Sequence, residues 1–314
     1  MNTSVLDVFQ TVKNIFYIGN YELACQEVTS VDINEEDLSQ EIKKLFYTFL
    51  THVEDDKTNE MQEFLKELKE RTSDQNLLIY YKIFGLFLFY YVKREFDEKT
   101  EQTFEKIYND IKKVSNYNPV IFPAVYIISI ILIDRQQYEK FLSLIEKFEV
   151  DLEILALKFY LFLHLNKFDE MEKTLNTMNI KESDAHLTQI CQLVFSLYKN
   201  NDIETAMGIL TTLKKNNKVS IKMYNFIGVT FMSRGSFEEA YRVLNMGKDA
   251  YEKNGDSMHD YYSILVNSIC CARNLGLEDD VRATEEILKK QDERNNYFKK
   301  LHTFEEEFSK IGTK

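Results

Sequence analysis

Proline is nearly missing from this chain: there are 2 among 314 residues, with only 9 glycines. So little punctuation argues against many short strands joined by turns and for long uninterrupted elements, which are more easily helices. Basic side chains are also in deficit, 39 against 51 acidic, giving a net charge of −12. Non-specific nucleic-acid binding needs a basic stripe that displaces counterions, and none is available here. The same balance argues against electrostatic adhesion to anionic lipid. The four cysteines, Cys25, Cys191, Cys270 and Cys271, include no C-x-x-C pair. Adjacent Cys270 and Cys271 on a helix would point apart, so reduced cytosolic thiols are expected rather than a disulfide framework. The opening MNTSVLDVFQ lacks a basic region followed by an apolar one, so no secretory signal is read there. Long apolar runs are missing too. LLIYYKIFGLFLFYYV (77–92) is broken by Lys82, and PVIFPAVYIISIILI (119–133) is short and holds both prolines. Each falls short of the roughly 20 residues of a spanning helix. Both are expected as buried helices of a soluble, cytoplasmic protein, whose 44% hydrophobic content supports a sizeable core.

What is present is a repeat. The stretch YNFIGVTFMSRGSFEEAYRVLNMG (224–247) holds Tyr224-x2-Ile227-Gly228-x2-Phe231, then Gly235-x-Phe237-x2-Ala240-x3-Leu244-x2-Gly247. It resembles the tetratricopeptide signature, with Tyr224 where that family usually has tryptophan. Gly228 and Ala240 are small enough for two antiparallel helices to approach, and Phe231, Phe237 and Leu244 fill the space around the contact. Similar openers of a second helix recur at Tyr21, Met61, about Thr100, Tyr138, Phe168, Ile203, Phe237 and about Glu278. The steps from Tyr138 to Phe168 to Ile203 to Phe237 are 30, 35 and 34 residues, bracketing the roughly 34-residue tetratricopeptide period. The first three units are longer and more degenerate. A helical bundle whose hairpins only look periodic is the bland alternative, but several evenly stepped copies favour a solenoid.

The expected architecture is therefore all-α: a tetratricopeptide-like, right-handed, strongly curved solenoid of helical hairpins over residues 1–286. In the same domain, residues 287–314 are read as an amphipathic capping helix with apolar Tyr297, Phe298, Leu301, Phe304, Phe308 and Ile311, since solenoid ends need a cap. Loops are expected at 31–37, 115–119, 214–220 and 253–260.

Catalytic chemistry finds no support. His52, His164, His186, His259 and His302 are scattered without partners at metal-ligand spacing. His302 near Glu305 and Glu306 reads as a solvated helical contact. There is no G-x-G-x-x-G, no phosphate-binding G-x-x-x-x-G-K-[ST] and no G-x-S-x-G elbow. Carboxylate runs at 35–37, 54–56 and 305–307 splay apart on a helix and read as solvated surface. No cofactor, no metal and no enzymatic activity are expected.

In a stack of such hairpins the first helices line the concave side. Projecting the register of 224–247 onto its neighbours selects Tyr126, Ile130 and Ile133; Tyr160 and Leu163; Cys191, Phe195 and Tyr198; and Asn225, Val229 and Met232. Most are apolar, and the basic clamp used to hold acidic peptide tails is missing. Two readings compete. Either the solenoid curls tightly and these residues pack on one another, or they bury a hydrophobic segment of a permanent partner, because large apolar patches are rarely left exposed. The second reading predicts poor solubility without that partner.

Particular stretches narrow the choice. NIFYIGNYELACQEV (14–28), ESDAHLTQICQLVFSLY (182–198), MSRGSFEEAYRVLNMG (232–247) and the tail from Asp292 to Ile311 resemble, in order and spacing, segments of the epsilon subunit of coatomer. The likeness is weakest between 38 and 125, and the small-residue leader of some members is missing. The resemblance implies a non-enzymatic subunit of the COPI vesicle coat. It implies a solenoid that curls around an extended hairpin in the C-terminal region of the alpha subunit. It further implies a heptameric coat, recruited by a small GTPase from the cytosol to Golgi membranes, that serves retrograde transport to the endoplasmic reticulum. Through alpha the chain would join the rest of the coat, with no nucleic acid and no direct membrane insertion. A general tetratricopeptide scaffold or co-chaperone that samples peptides is the alternative function; it would use basic groove residues and salt-sensitive binding.

Overall fold

The computed structural model describes residues 7–34, 37–54, 58–70, 75–93, 95–114, 118–200, 202–215, 217–255, 257–291 and 296–311. Parts of the expected loops (35–36, 115–117, 216 and 256), the carboxylates Asp55 and Asp56, and the segment 292–295 lie outside them. The described residues form helices joined by turns, with no strand among them, and the chain divides into two compact units at residues 200 and 201.

The first unit opens with the hairpin α1 (Gln10–Tyr17) and α2 (Tyr21–Ser30), then α3 (Leu38–Glu54) and α4 (Thr58–Glu70), then α5 (Gln75–Lys93) and α6 (Glu98–Lys112). A single 3-10 turn, Pro119–Ile121, leads into α7 (Phe122–Asp134) and α8 (Tyr138–Ile145), then α9 (Leu152–His164) and α10 (Phe168–Glu182). The unit ends with α11 (His186–Phe195) and a π-helical turn over Ser196–Asn200. The second unit holds α12 (Ile203–Lys215), α13 (Ile221–Ser233), α14 (Phe237–Asn254), α15 (Met258–Asn274), α16 (Glu278–Gln291) and α17 (Asn296–Ile311). Each unit is a stack of helical hairpins.

Second helices begin at Tyr21, Tyr138, Phe168, Ile203, Phe237 and Glu278, as the spacing predicts. Two starts differ for local reasons. Met61 is the first buried side chain of α4, whose backbone turns helical at Thr58. In α6 the Asp97 carboxylate accepts the Thr100 amide at 2.8 Å, a side-chain cap that starts the helix at Glu98.

One turn recurs. Gly19, Gln136, Asn166, Gly235 and Gly276 all have positive φ, and each stands two residues before a second helix. Around each, the next amide bonds back five residues: Asn20 to Ile15, Gln137 to Leu132, Lys167 to Phe162, Ser236 to Phe231 and Leu277 to Ala272, at 2.8–3.2 Å. This is the Schellman closure, which satisfies the last carbonyls of the first helix with a left-handed residue. Gly235 (φ 79°) suits that position because it has no Cβ, whereas Gln136 (φ 58°) carries one there.

The run at 119–133 becomes α7, where every residue from Phe122 to Ile133 except Tyr126 and Ile130 is buried. A helix apolar all round has to be surrounded, and α7 is packed by α3, α5, α6, α8 and α9. No helix among the described residues is long and apolar enough to cross a membrane.

In the second unit Gly228 lets α13 approach α14 closely: a Cβ there would stand 2.6 Å from Leu244 Cδ2. Gly247 does the same on α14, where a Cβ would lie 2.5 Å from Ile264 Cδ1 and 3.0 Å from Tyr224 Cβ. The tail differs from the expected single cap beginning at 287. That position lies inside α16, which continues to Gln291, and a separate helix starts at Asn296. The first turn of α17 covers the stack: Tyr297 and Phe298 pack on the Tyr261–Leu265–Val281 cluster, while Phe304 is 58% exposed. Cys271 is fully buried and Cys270 half-buried.

Candidate functional site

The eleven projected inner-face residues fall in two units, and the structure treats them differently. On α7, Tyr126 and Ile130 are half-buried and Ile133 is buried, all packed against the core of the first unit. The Tyr126 ring stands edge-on to Phe46 of α3 at 5.3 Å and lies 6.0 Å from Phe122. This part of the face is covered by the chain itself, because α3 packs on α7. Cys191 and Phe195 on α11 are buried in a second cluster with Leu155, Phe159 and Met171. Burial pushes the Cys191 thiol up to about 12, so it carries no thiolate near neutrality.

Of the projected residues in the first unit, the two that are exposed are aromatic. Tyr160 on α9 is 53% exposed and Tyr198 in the π-helical turn is 61% exposed, with Leu163 half-buried. The π-helical turn is a rare backbone form. It is held by Lys199, which pairs with Glu172, lies 3.9 Å from Asp169 and sits 5.3 Å over the Phe195 ring. In the second unit Asn225, Val229 and Met232 on α13 are half-buried. The Asn225 side-chain oxygen accepts from Asn267 Nδ2 of α15 at 2.7 Å, leaving an uncharged polar pair flanked by apolar side chains.

Sequence reading missed a buried ionic cluster in the first unit. Lys13 Nζ of α1 lies 2.8 Å from Asp7 Oδ2 and 2.9 Å from Glu153 Oε1 of α9. Glu153 is 3% exposed, and the same Oε1 accepts the Tyr47 hydroxyl of α3 at 2.7 Å. Burial pushes the Glu153 carboxyl up, but the Lys13 ammonium and the Tyr47 hydroxyl outweigh it and hold it below the usual carboxylate range. Burial works against the Lys13 ammonium, and the carboxylates of Glu153 and Asp7 overcome that to raise its pKa. Burial, together with the nearby Tyr126 hydroxyl and Glu153, raises Tyr17 well above the ordinary phenol. The signal was a lone glutamate opening an apolar helix, LEILALKFYLFLH, which a stripe count passes over.

Lys13, Asp7, Glu153 and Tyr47 satisfy one another in this cluster. Among the described residues no group of three or more His, Cys, Asp or Glu side chains could hold a metal ion.

Comparison with known proteins gives two positive findings. The family model described as the coatomer epsilon subunit matches residues 5–314. Among solved structures, a tetratricopeptide repeat protein from Parabacteroides merdae ATCC 43184 is similar over 84% of this chain and 98% of its own, at 13% identity and a TM-score of 0.44. No curated protein matches the chain.

Proposed function

Because the chain belongs to the coatomer epsilon subunit family, we propose that it is a non-enzymatic subunit of the COPI coat that binds the C-terminal region of the alpha subunit. The family match over residues 5–314 carries this reading. Attachment to the coat, and through it to Golgi membranes and retrograde vesicles, follows from that contact; the chain itself stays on the cytoplasmic side. Its surface supports the reading in two places. On the first unit, exposed Tyr160 and Tyr198, with half-buried Leu163, offer apolar side chains to a partner. The Asn225–Asn267 pair, with Val229 and Met232, offers amide donors and acceptors suited to an extended backbone in the second. Aromatic anchors of this kind dominate binding energy when a partner dries them. Ile133, Cys191 and Phe195 are buried inside the first unit, and Tyr126 and Ile130 are half-buried against its core.

The test is co-production with the C-terminal region of the alpha subunit and gel filtration. The native chain should co-elute with it at a one-to-one ratio. The double change Tyr160→Asp/Tyr198→Asp, at exposed positions that leave the helices intact, should weaken the complex at least a hundredfold, since two central aromatics each cost about 2 kcal/mol or more when lost. Undiminished binding by that variant, with unchanged circular dichroism, would remove the aromatic patch from the interface; no complex with the native chain would remove the function.

A further inference from the structure

Helix α1 carries two chemically different stripes. Phe9, Val12 and Phe16 are 1%, 0% and 5% exposed and recur at helical spacing. They pack toward the helices next in sequence: Phe9 lies 5.7 Å from Tyr47 of α3, and Phe16 lies 5.3 Å from Tyr21 of α2. The other stripe is Lys13, Asn14 and Tyr17, and it meets the far end of the first unit. Lys13 pairs with Glu153 of α9 at 2.9 Å. Asn14 makes two contacts with the start of α11, a separation of 172 residues: its side-chain oxygen accepts the His186 amide at 3.1 Å, and its carbonyl lies 2.9 Å from His186 Nδ1. A carbonyl only accepts, so Nδ1 carries the hydrogen in this contact. Tyr17 stands among Tyr126 and Glu153, and Tyr47 reaches Glu153 from α3.

The two interfaces of α1 respond differently to opening. Separating the apolar stripe exposes three large side chains to water, at roughly 1.5–3 kcal/mol each. Separating the polar one returns an ammonium, a carboxylate and an amide to water, which hydrates them well. A buried ion pair gains little net stability over its hydrated parts, although losing only one partner is costly. Buried charges also fix which surfaces meet, since any other register leaves them unpaired. From this division we propose that α1 is a clasp: it stays with α2 and α3, and the first unit opens reversibly along the polar seam between α1 and the α9–α11 pair. Opening there uncovers Tyr17 and the Lys13 side of Glu153, while Tyr126 stays against Phe46 of α3.

Hydrogen–deuterium exchange on the full chain tests this, combined with hydroxyl-radical labelling of tyrosines. Asn14→Ala removes the acceptor for the His186 amide and leaves every charge in place. The expected result is about tenfold faster exchange in the first turn of α11, more modification of Tyr17, and native protection across α1 and α2. Adding Glu153→Gln should enlarge the same pattern. Thr11→Ala, at an exposed position of α1, should change nothing. If α1 loses protection together with α11, the helix melts instead of swinging free, and the clasp is refuted. Unchanged exchange and labelling in both variants would refute it equally, since the seam would then not be the weak line.

Discussion

Two glycines of the second unit allow a sharp test of its packing, because a third glycine in that unit serves as a control. Substituting alanine for glycine inside a helix ordinarily stabilises by about 0.5–1 kcal/mol through backbone entropy. At Gly208, exposed on α12, an added Cβ meets nothing within 4 Å, so the full gain is expected. At Gly228 the same methyl would lie 2.6 Å from Leu244 Cδ2 and 2.7 Å from its Cγ. Carbon atoms rest about 3.5–4.0 Å apart, so the overlap is about 1 Å. Leu244 is fully buried, so the χ1 change that would move its Cγ away has to drive the side chain into packed neighbours, and α14 shifts instead. Overpacking of this kind costs about 1–3 kcal/mol. Set against the helix gain, Gly228→Ala should destabilise by about 1–2 kcal/mol. Urea denaturation followed by circular dichroism should therefore separate two chemically identical substitutions by about 2–3 kcal/mol, with opposite signs. Gly247→Ala should fall on the Gly228 side, because Tyr224 Cβ at 3.0 Å cannot swing away. If Gly228→Ala stabilised as much as Gly208→Ala, close approach of α13 and α14 would not be what the small residue provides.

The buried cluster predicts a defined pH response. The Glu153 and Asp7 carboxyls are depressed in the fold, so their contribution is present above about pH 4–5 and lost as pH falls through the folded values. The Lys13 ammonium is raised, so its contribution is complete below about pH 10 and declines above it. Glu153→Gln should cost about 3 kcal/mol near neutrality, at the low end for a broken buried pair because Asp7 stays beside Lys13, and it should flatten the acid limb of a stability–pH curve. Thiol labelling of the native chain should modify half-exposed Cys25 first and leave Cys191 unmodified until unfolding; rapid reaction of Cys191 would mean that the α9–α11 cluster is open. At the recurring turn, Gln136→Gly should stabilise by about 1 kcal/mol and Asn166→Gly by less, because asparagine tolerates the left-handed region better.

The helical class, most second-helix starts and the close approach at Gly228 are legible in the residues, because each depends on neighbours within a hairpin. The turns are legible only where glycine marks them: Gln136 and Asn166 take the same left-handed geometry without a signal. Contacts between distant residues are hidden. Lys13 and Glu153 look like surface charges until the fold brings them to 2.9 Å. The inner face was readable as a register but not as a surface. Whether Tyr126 faces solvent or Phe46 depends on how α3 lies against α7, which no local pattern states.

The recurring turn and the seam impose an order in time. Each Schellman turn closes over five residues, so any hairpin can form early and its neighbours can add to it. The contact of Asn14 with His186 joins residues 172 apart. On a ribosome adding about 5–20 residues per second, Asn14 waits on the order of ten to thirty seconds for α11 to be made, and Lys13 nearly as long for α9. Through that interval the polar stripe of α1 faces water, where a lysine and an asparagine are comfortable and a leucine would invite aggregation. The polarity of the seam thus also protects the half-made chain.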